Sequence, residues 1–157
     1  MLSKKSKYAI KALVTLAREY EKGPILISNI AERDKIPQKF LEAILLELKK
    51  MGILGSKKGA GGGYYLIKHP KDVMLSNVMR LTDGPIALIP CVSLNFYERC
   101  VECVDEATCG LRDVAMDVRD ASLNILTNTS LADILAREDR LKKAGIRTAL
   151  KPAKKKG

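Results

Sequence analysis

A glycine-rich stretch between two short strand-like segments constrains the fold of this chain most. Residues 53–54 and 64–67 are apolar or aromatic, and residues 57–63 between them read Lys-Lys-Gly-Ala-Gly-Gly-Gly. Strand, glycine-rich turn and strand predict a β-hairpin, because glycine adopts positive φ and allows close approach of the backbone to a partner. The tip carries Lys57 and Lys58 and bare backbone amides, which suit contact with phosphates or a minor groove.

A dinucleotide-binding loop is the competing interpretation of these glycines. A G-x-G-x-x-G pattern that begins at Gly59 needs a glycine where Tyr64 stands. It also needs a helix to follow, whereas the residues that follow are typical of a strand. A hairpin is therefore expected, either as a DNA-contacting element or as a plain hairpin with a flexible turn.

Three helical patterns precede the hairpin. Apolar residues recur at steps of three and four over residues 4–20, which predicts an amphipathic helix that Gly23-Pro24 ends. Ser28 is expected to cap a second, short helix. Pro37 suits the first position of a third helix, because that position needs no backbone donor.

The third helix is expected to span residues 37–50 with a polar half at its N-terminal end. Gln38, Lys39 and Glu42 lie off its apolar stripe. Two short helices joined by a tight turn, the second with such a polar half, can place side chains in a DNA major groove. With the hairpin as a wing, residues 1–82 are predicted to form a winged helix-turn-helix domain.

The charge of the chain is unevenly distributed. Its net charge of +10 points to a polyanionic partner, either nucleic acid or an anionic membrane surface. Residues 1–80 hold 16 Lys and Arg against 7 Asp and Glu, residues 81–140 hold 5 against 11, and residues 141–157 hold 7 against none. The basic residues of the first segment belong to the helix-turn-helix and its wing, which favours DNA. Residues 141–157 are expected to form a basic, disordered tail.

Four cysteines lie in the acidic middle segment. Cys91, Cys100, Cys103 and Cys109 are separated by eight, two and five residues. We expect a cytoplasmic protein with no membrane partner, because no apolar run reaches the roughly 20 residues of a membrane helix and the N-terminus lacks a secretory signal. Thiols this dense in a reducing compartment indicate an iron–sulfur or zinc centre.

Spacing alone leaves the metal open. Zinc sites favour closely spaced pairs, and only Cys100 and Cys103 form one. A metal-free disulfide switch and a loop with incidental cysteines are the other interpretations. The C-x-x-C pair also invites a thiol oxidoreductase interpretation, but the required βαβ context is missing. The one histidine, His69, is expected on the surface, and no nucleophile–base pair is apparent, so we expect no enzymatic activity and no small-molecule substrate.

The cysteine loop is also acidic. Four carboxylates, with only Arg99 to offset them, are expected to raise the pKa of the thiols in the absence of a metal: Glu98, Glu102, Asp105 and Glu106.

A long amphipathic helix is predicted after the last cysteine, over residues 109–126. A chain of this size offers it little core of its own, so we expect it to pair with a second copy; packing inside one chain is the alternative. Ser76 is expected to cap a short helix before the loop, and Ser130 with Asp133 resembles a capping box for a last helix.

Over roughly residues 1–140 the chain resembles the Rrf2 family of bacterial winged-helix transcriptional regulators (IscR/NsrR/CymR-like). The matching segments are Lys7-Tyr8-Ala9-Ile10, Ile30-Ala31-Glu32, Phe40-Leu41-Glu42 and Lys58-Gly59-Ala60-Gly61-Gly62-Gly63-Tyr64. The resemblance implies a homodimer that binds a palindromic operator in double-stranded DNA. It also implies an iron–sulfur cluster, 2Fe–2S or 4Fe–4S, held by cysteines before a dimerisation helix.

The resemblance implies DNA contacts by matched position. Gln38, Lys39 and Glu42 would face bases, and Ser28 would meet a phosphate. Lys57 at the tip is also an expected DNA contact. The wing residues that would face the minor groove and the DNA backbone are Lys58, Gly61, Gly62, Gly63 and Tyr64.

The cysteine loop departs from the family pattern. The gap between Cys103 and Cys109 matches, but Cys100 lies in an inserted stretch. One branch of the family uses a histidine three residues after the last cysteine as fourth ligand, and Arg112 stands there; other branches use a carboxylate in the first helix, and residues 1–18 contain none. We therefore expect all four cysteines to be ligands; the alternative is three cysteine ligands with an exchangeable fourth position, Cys91 or Cys100 being free.

Together these features predict a mostly α-helical chain with a small β-hairpin wing, in which a winged helix-turn-helix domain is joined to a long dimerisation helix. The expected units are residues 1–82, the cysteine loop 83–110, two helices over 111–140 and the tail 141–157. The expected function is a DNA-binding regulator whose cluster couples redox, nitric oxide or iron status to operator binding. A zinc-stabilised or thiol-switched regulator is the alternative, and a small thiol oxidoreductase is the third.

Overall fold

A computed structural model describes residues 2–145 of the chain. Within them it contains six α-helices and one two-stranded antiparallel sheet. The elements are α1 (Lys4–Arg18), α2 (Ile27–Asp34), α3 (Gln38–Lys50), β1 (Leu54–Lys57), β2 (Gly63–Leu66), α4 (Leu75–Thr82), α5 (Gly110–Thr127) and α6 (Leu131–Ala144). Short 3-10 turns lie at Pro70–Asp72 and Pro90–Val92.

Helix α1 is the centre of the main core. It packs against α2, α3, α4, α6 and β2. Its apolar residues recur at helical spacing and are buried: Ala9, Ala12, Leu13, Leu16 and Ala17. Because α1 touches nearly every other element, the helix-turn-helix, the wing and the last helix share one core.

The turn between α2 and α3 is held by its backbone. Lys35 adopts a left-handed conformation with φ of 53°, and the N–H of Ile36 donates to the carbonyl of Ala31 at 2.9 Å. This geometry closes the end of α2 and buries Ile36 between the two helices. The predicted helix-turn-helix is confirmed.

Two predicted helix caps are wrong. Ser28 lies inside the first turn of α2, whose N-cap residue is Leu26, and Ser76 lies inside α4, whose N-cap residue is Met74. Neither N-cap side chain makes a capping hydrogen bond. The chain just ahead of each helix is instead fixed by backbone pairing with a distant segment: Ile25, two residues before α2, pairs with Tyr64, and Met74, directly before α4, pairs with Ser130.

The wing is a hairpin that is attached to the helical domain. β1 and β2 pair from Leu54 opposite Leu66 to Lys57 opposite Gly63, and five residues connect them. Ile25 and Tyr64 exchange two backbone hydrogen bonds of 2.8 Å, which adds a third, short strand position beside β2. The predicted hairpin is confirmed, and its base has a fixed orientation relative to α2.

Helix α5 is the longest helix of the described residues and the least buried. It packs on α4 and on the turn Pro90–Val92. Only Ala115 among its 18 residues is buried. Its apolar stripe is 40% to 69% exposed at Leu111, Val114, Val118 and Ile125.

Helix α6 begins with the predicted capping box: Ser130 Oγ accepts from the N–H of Asp133, and Asp133 accepts from the N–H of Ser130. The helix continues to Ala144, so residues 141–144, placed in the basic tail by the sequence, are helical. The rest of that predicted tail, residues 146–157, lies outside the described residues. No helix within residues 2–145 is long and apolar enough to cross a membrane.

Candidate DNA interface and cysteine cavity

The N-terminal half of α3 presents polar side chains to solvent. Gln38, Lys39 and Glu42 are all exposed, while Leu41 and Leu45 of the same helix are fully buried. The structure therefore brings the three residues predicted to contact bases onto one accessible helix end. Such an end can enter a major groove without rearrangement of the core.

An aromatic contact orients this helix end. The rings of Phe40 and Tyr8 meet edge to face, with centroids 5.7 Å apart and an interplanar angle of 83°. Tyr8 belongs to α1, so α3 is supported by the central helix of the core. Such a pair contributes about 0.5–1.5 kcal/mol beyond the burial of its surface.

The other predicted DNA contacts differ in their accessibility. Ser28, Lys57, Lys58 and Gly61 are exposed. Gly62 is buried, and its N–H donates to the carbonyl of Gly59 at 3.0 Å, which closes the tip.

Gly63 and Tyr64 are half-buried at the base of the wing. The N–H of Tyr64 is used in the pairing with Ile25. The exposed tip is therefore free for an external partner, whereas Gly62, Gly63 and Tyr64 mainly shape and attach the wing.

All four cysteines line one cavity of about 420 Å³. Cys91 is buried in the turn Pro90–Val92 of the loop, Cys100 is exposed, and Cys103 and Cys109 are half-buried. Cys109 is the N-cap residue of α5, where the partial positive charge of the helix end favours a negatively charged group. Apolar residues and charged side chains complete the lining: Ile89, Pro90, Glu98, Arg99, Glu102, Leu111 and Arg112.

Neighbouring groups oppose ionisation of two of these thiols. A hydrogen bond from Cys100 Sγ to Glu102 Oε2, 3.3 Å long, raises the pKa of Cys100. Burial, together with the neighbouring thiols of Cys109 and Cys100, raises the pKa of Cys103. The effect expected of the loop carboxylates is therefore seen at Cys100, where Glu102 is the main cause, whereas at Cys103 burial and the neighbouring thiols come first.

Hydrogen bonds within the loop shape the segment between the last two cysteines. Asp105 accepts from the N–H of Ala107 at 3.1 Å and from the hydroxyl of Thr108 at 2.9 Å. The hydroxyl of Tyr97 donates to Glu106 at 2.7 Å. These contacts use two of the loop carboxylates to order the chain ahead of Cys109.

The donor set suits a soft metal centre, although the thiols are not gathered around a point. All four cysteines are free thiols, and thiolate is the ligand preferred by iron–sulfur clusters and zinc. Yet no three Cys, His, Asp or Glu side chains of residues 2–145 converge closely enough to hold a metal ion. The loop would have to close further to bring its thiols together.

Sequence reasoning missed two arginines of α5 at this site. Arg112 lines the cavity, and its Nε is a buried atom without a hydrogen-bond partner among the described residues. Arg119 Nη1 donates to the carbonyl of Val92 at 2.7 Å, beside Cys91. The signal available for Arg112 was its place three residues after Cys109, on the same helix face. The sequence gives no signal for the Arg119 contact, which depends on the folded loop.

Comparison with known proteins gives one consistent result. The family described as "Rrf2: Iron-dependent Transcriptional regulator" matches residues 2–137. The chain is 43% identical over 139 residues to an rrf2-like HTH-type transcriptional regulator of Rhodobacter capsulatus, covering 87% of this chain and 93% of that protein. It is 32% identical over 150 residues to the HTH-type transcriptional regulator NsrR of Geobacillus kaustophilus, covering 96% of each.

A solved structure shares the fold. CymR, the global cysteine regulator of Bacillus subtilis, superimposes with a TM-score of 0.73 at 26% identity, covering 87% of this chain and 97% of that chain. The family match spans the helix-turn-helix, the wing, the cysteine loop, α5 and the first half of α6. The chain therefore belongs to the Rrf2 family of winged helix-turn-helix transcriptional regulators.

Proposed function

We propose that this protein is a homodimeric, DNA-binding regulator whose four cysteines hold an iron–sulfur cluster that adjusts operator binding. The observation that carries the proposal is the single cavity lined by all four thiols at the N-terminus of α5. It lies between a DNA-binding fold and an exposed apolar helix. The signal would be redox state, nitric oxide or iron supply.

DNA binding is supported by the exposed polar residues of α3 and by the lysines of the wing. Gln38, Lys39 and Glu42 would contact base edges in a major groove. Lys57 and Lys58 would contact phosphates beside the minor groove. The proposed partner is a palindromic operator, because two copies related by a two-fold axis present two recognition helices.

Dimerisation is supported by the apolar stripe of α5. Four large apolar side chains of one helix, at 40% to 69% exposure, form a continuous surface that water would otherwise cover. A second copy of the same helix would bury it. Pairing along α5 would also fix the spacing of the two recognition helices.

The cavity residues supply the donors of a cluster with four thiolate ligands, which further closure of the loop would bring together. Cys91, Cys100, Cys103 and Cys109 would be the ligands, and Ile89, Pro90 and Leu111 would limit access of water. A bound cluster would supply a one-electron redox centre that also reacts with oxidants and nitric oxide. The raised pKa values of Cys100 and Cys103 mean that metal binding would release protons.

Contacts at both ends of the loop support coupling to the DNA-binding unit. At the start of the loop, Asp83, the C-cap residue of α4, accepts from the backbone N–H of Ser3, at the start of α1, at 3.1 Å. Within it, the carbonyl of Val92 accepts from Arg119 of α5. Closing the loop around a cluster would therefore act on α5 and on the core helix α1 together.

Anaerobic purification followed by a visible spectrum and assays for iron, acid-labile sulfide and zinc tests the cluster. We expect a coloured protein with iron and sulfide in equal amounts, and loss of colour together with a change in operator affinity after exposure to air. A colourless protein with stoichiometric zinc and no sulfide would overturn the cluster proposal.

A zinc-stabilised or thiol-switched regulator is the second candidate. It is favoured by the tight turn at the C-x-x-C pair, where the N–H of Cys103 donates to the carbonyl of Cys100 at 3.3 Å.

Cys100→Ala distinguishes a set of four cysteine ligands from a set of three. We expect it to lose the cluster if all four thiols bind; unchanged iron and sulfide would leave three cysteine ligands and an exchangeable position.

A further inference from the structure

Arg112 lies in the lining of the cysteine cavity, and its hydrogen bonds do not explain why a charged side chain is placed there. It follows Cys109 by three residues in the first turns of α5 and lines the same cavity as the four thiols. A guanidinium has five donors and no acceptor, so Arg112 cannot ligate a metal. Its role in the cavity must be that of a donor and a positive charge.

The hydrogen bonds of Arg112 are incomplete within the described residues. Nη1 donates to the thioether sulfur of Met116 at 3.5 Å, a weak acceptor, and the buried Nε has no partner there. A buried charged donor without an acceptor destabilises the fold. Arg119, two turns further along α5, has strong acceptors in Asp120 and the Val92 carbonyl.

The cavity would collect negative charge when the thiols bind a metal. A centre with four thiolates is anionic, since four negative sulfurs exceed the charge of Zn²⁺ or of an oxidised 2Fe–2S core. Glu98 and Glu102 add two carboxylates to the lining, and the other cation of the lining, Arg99, is exposed. Arg112 is the half-buried cation of this cavity.

We propose that Arg112 donates its Nε–H to a sulfur atom of the thiolate centre and offsets its negative charge. The inference rests on the proposed metal site and names a residue outside its ligand set. A charge-assisted N–H···S contact would satisfy the unpaired donor and hold the loop against α5. It would favour the more negative, reduced state of a cluster.

Cobalt(II) titration of the apo-protein tests this without requiring a cluster. The thiolate-to-cobalt absorption reports binding by the four cysteines. We expect Arg112→Gln to weaken cobalt binding about tenfold and Arg112→Lys, which keeps the charge but loses Nε, to recover part of that loss. Arg99→Gln is the matched control, since it removes an equal charge from the exposed rim, and it should change affinity less than about threefold.

The reduction potential of the reconstituted protein gives a second readout that a purely structural role would not move. Arg112→Gln should lower the potential relative to wild type and Arg99→Gln, while circular dichroism shows all variants folded. Equal cobalt affinity and equal potential in wild type and Arg112→Gln would overturn the proposal, and full recovery by Arg112→Lys would overturn the Nε contact. Wild type that binds cobalt but no iron and sulfide would refute the cluster while still testing Arg112; wild type that binds neither would refute both.

Discussion

Gly63 determines, as a single residue, how the wing is attached to the DNA-binding domain. Its φ of +138° is a conformation that glycine adopts easily and other residues rarely adopt. A Cβ at this position would lie 2.2 Å from the carbonyl oxygen of Ile25. That carbonyl accepts the hydrogen bond from Tyr64 which fixes the base of the hairpin. The glycine is therefore required by a backbone contact that the turn alone would not demand.

Gly63→Ala should destabilise the protein by at least about 2 kcal/mol, through backbone strain and loss of the wing contact. Gly61→Ala is the matched control: its φ is +69°, but no atom lies within 4 Å of the added methyl, so about 1 kcal/mol is expected. Urea unfolding at fixed protein concentration measures both. Equal losses in the two variants would show that the Ile25 contact contributes nothing.

Glu42 is the residue of α3 whose substitution should change which bases are preferred. A carboxylate in a major groove accepts from the amino group of cytosine and repels other base edges. Glu42→Ala should relax discrimination at one position of each half-site by about 1–3 kcal/mol, with little loss of non-specific binding. Selection from a randomised operator library measures this, and an unchanged preference would contradict our placement of α3.

At the level of elements, the sequence predicted the helices better than their first residues. Periodic apolar residues located α1, α3 and α5, because burial of one face is encoded locally; cap signals pointed to α2, α4 and α6, and the glycine-rich turn to the hairpin. The caps at Ser28 and Ser76 were wrong because Leu26 and Met74 start these helices next to long-range backbone pairs. Ile25 and Tyr64 are 39 residues apart in the sequence, and Met74 and Ser130 are 56 residues apart. Pairs this distant leave no local pattern in the sequence.

The candidate site shows the same difference between features that a local sequence pattern encodes and features that depend on long-range contacts. Cysteine density was enough to place four thiols in one loop, and the structure puts them around one cavity. The place of Arg112 three residues after Cys109 was a local signal for its position at the cavity. The Arg119 contact could not be read from spacing, because it depends on how α5 lies against the turn at Val92. Thiol–ligand roles themselves stay predictions until the metal is assayed.

The capping box of α6 should make the stability of the protein depend on pH. Hydrogen bonds from the side chain and backbone of Ser130 lower the pKa of Asp133. The carboxylate therefore stabilises the fold above the ordinary aspartate pKa of about 3.9, and this contribution is lost as the pH falls through the lower folded-state value.

Asp133→Asn should lower the melting temperature at neutral pH, and its difference from wild type should shrink as the pH falls below the ordinary aspartate pKa. Ser130→Ala should cost about 1 kcal/mol at neutral pH, since it removes the other half of the box. Thermal unfolding between pH 2.5 and 7 measures both. A constant difference between Asp133→Asn and wild type over this range would contradict the assignment.

The wing tip should contribute to affinity through charge. Lys58→Ala should weaken binding to operator and to unrelated DNA alike and reduce the salt slope by about 0.9 if one phosphate contact is lost. Lys68→Ala removes the same charge from an exposed site after β2 and is the control. Equal slopes for wild type and Lys58→Ala would remove this lysine from the interface.

The whole molecule is expected to act as a pair, because α5 leaves an apolar face without a partner in one chain. Val114→Glu places a charge in that face, whose valine is 59% exposed. We expect the variant to be monomeric in analytical ultracentrifugation and to lose most of its preference for a palindrome over a half-site. Asp117→Ala, on the charged side of α5, should stay dimeric; a dimeric Val114→Glu would place the contact elsewhere.

The bare tip of the wing has a consequence for the kind of DNA that suits it. Gly59 and Gly61 have open space around the position of a Cβ, so the tip is little more than backbone flanked by lysines. Beyond Lys58 this thin loop has no side chain larger than the methyl group of Ala60 with which to discriminate base pairs, but it fits a narrow groove of strongly negative potential. Operators should therefore favour A-tract geometry where the wing lies, through groove width and without a fixed letter at any one position.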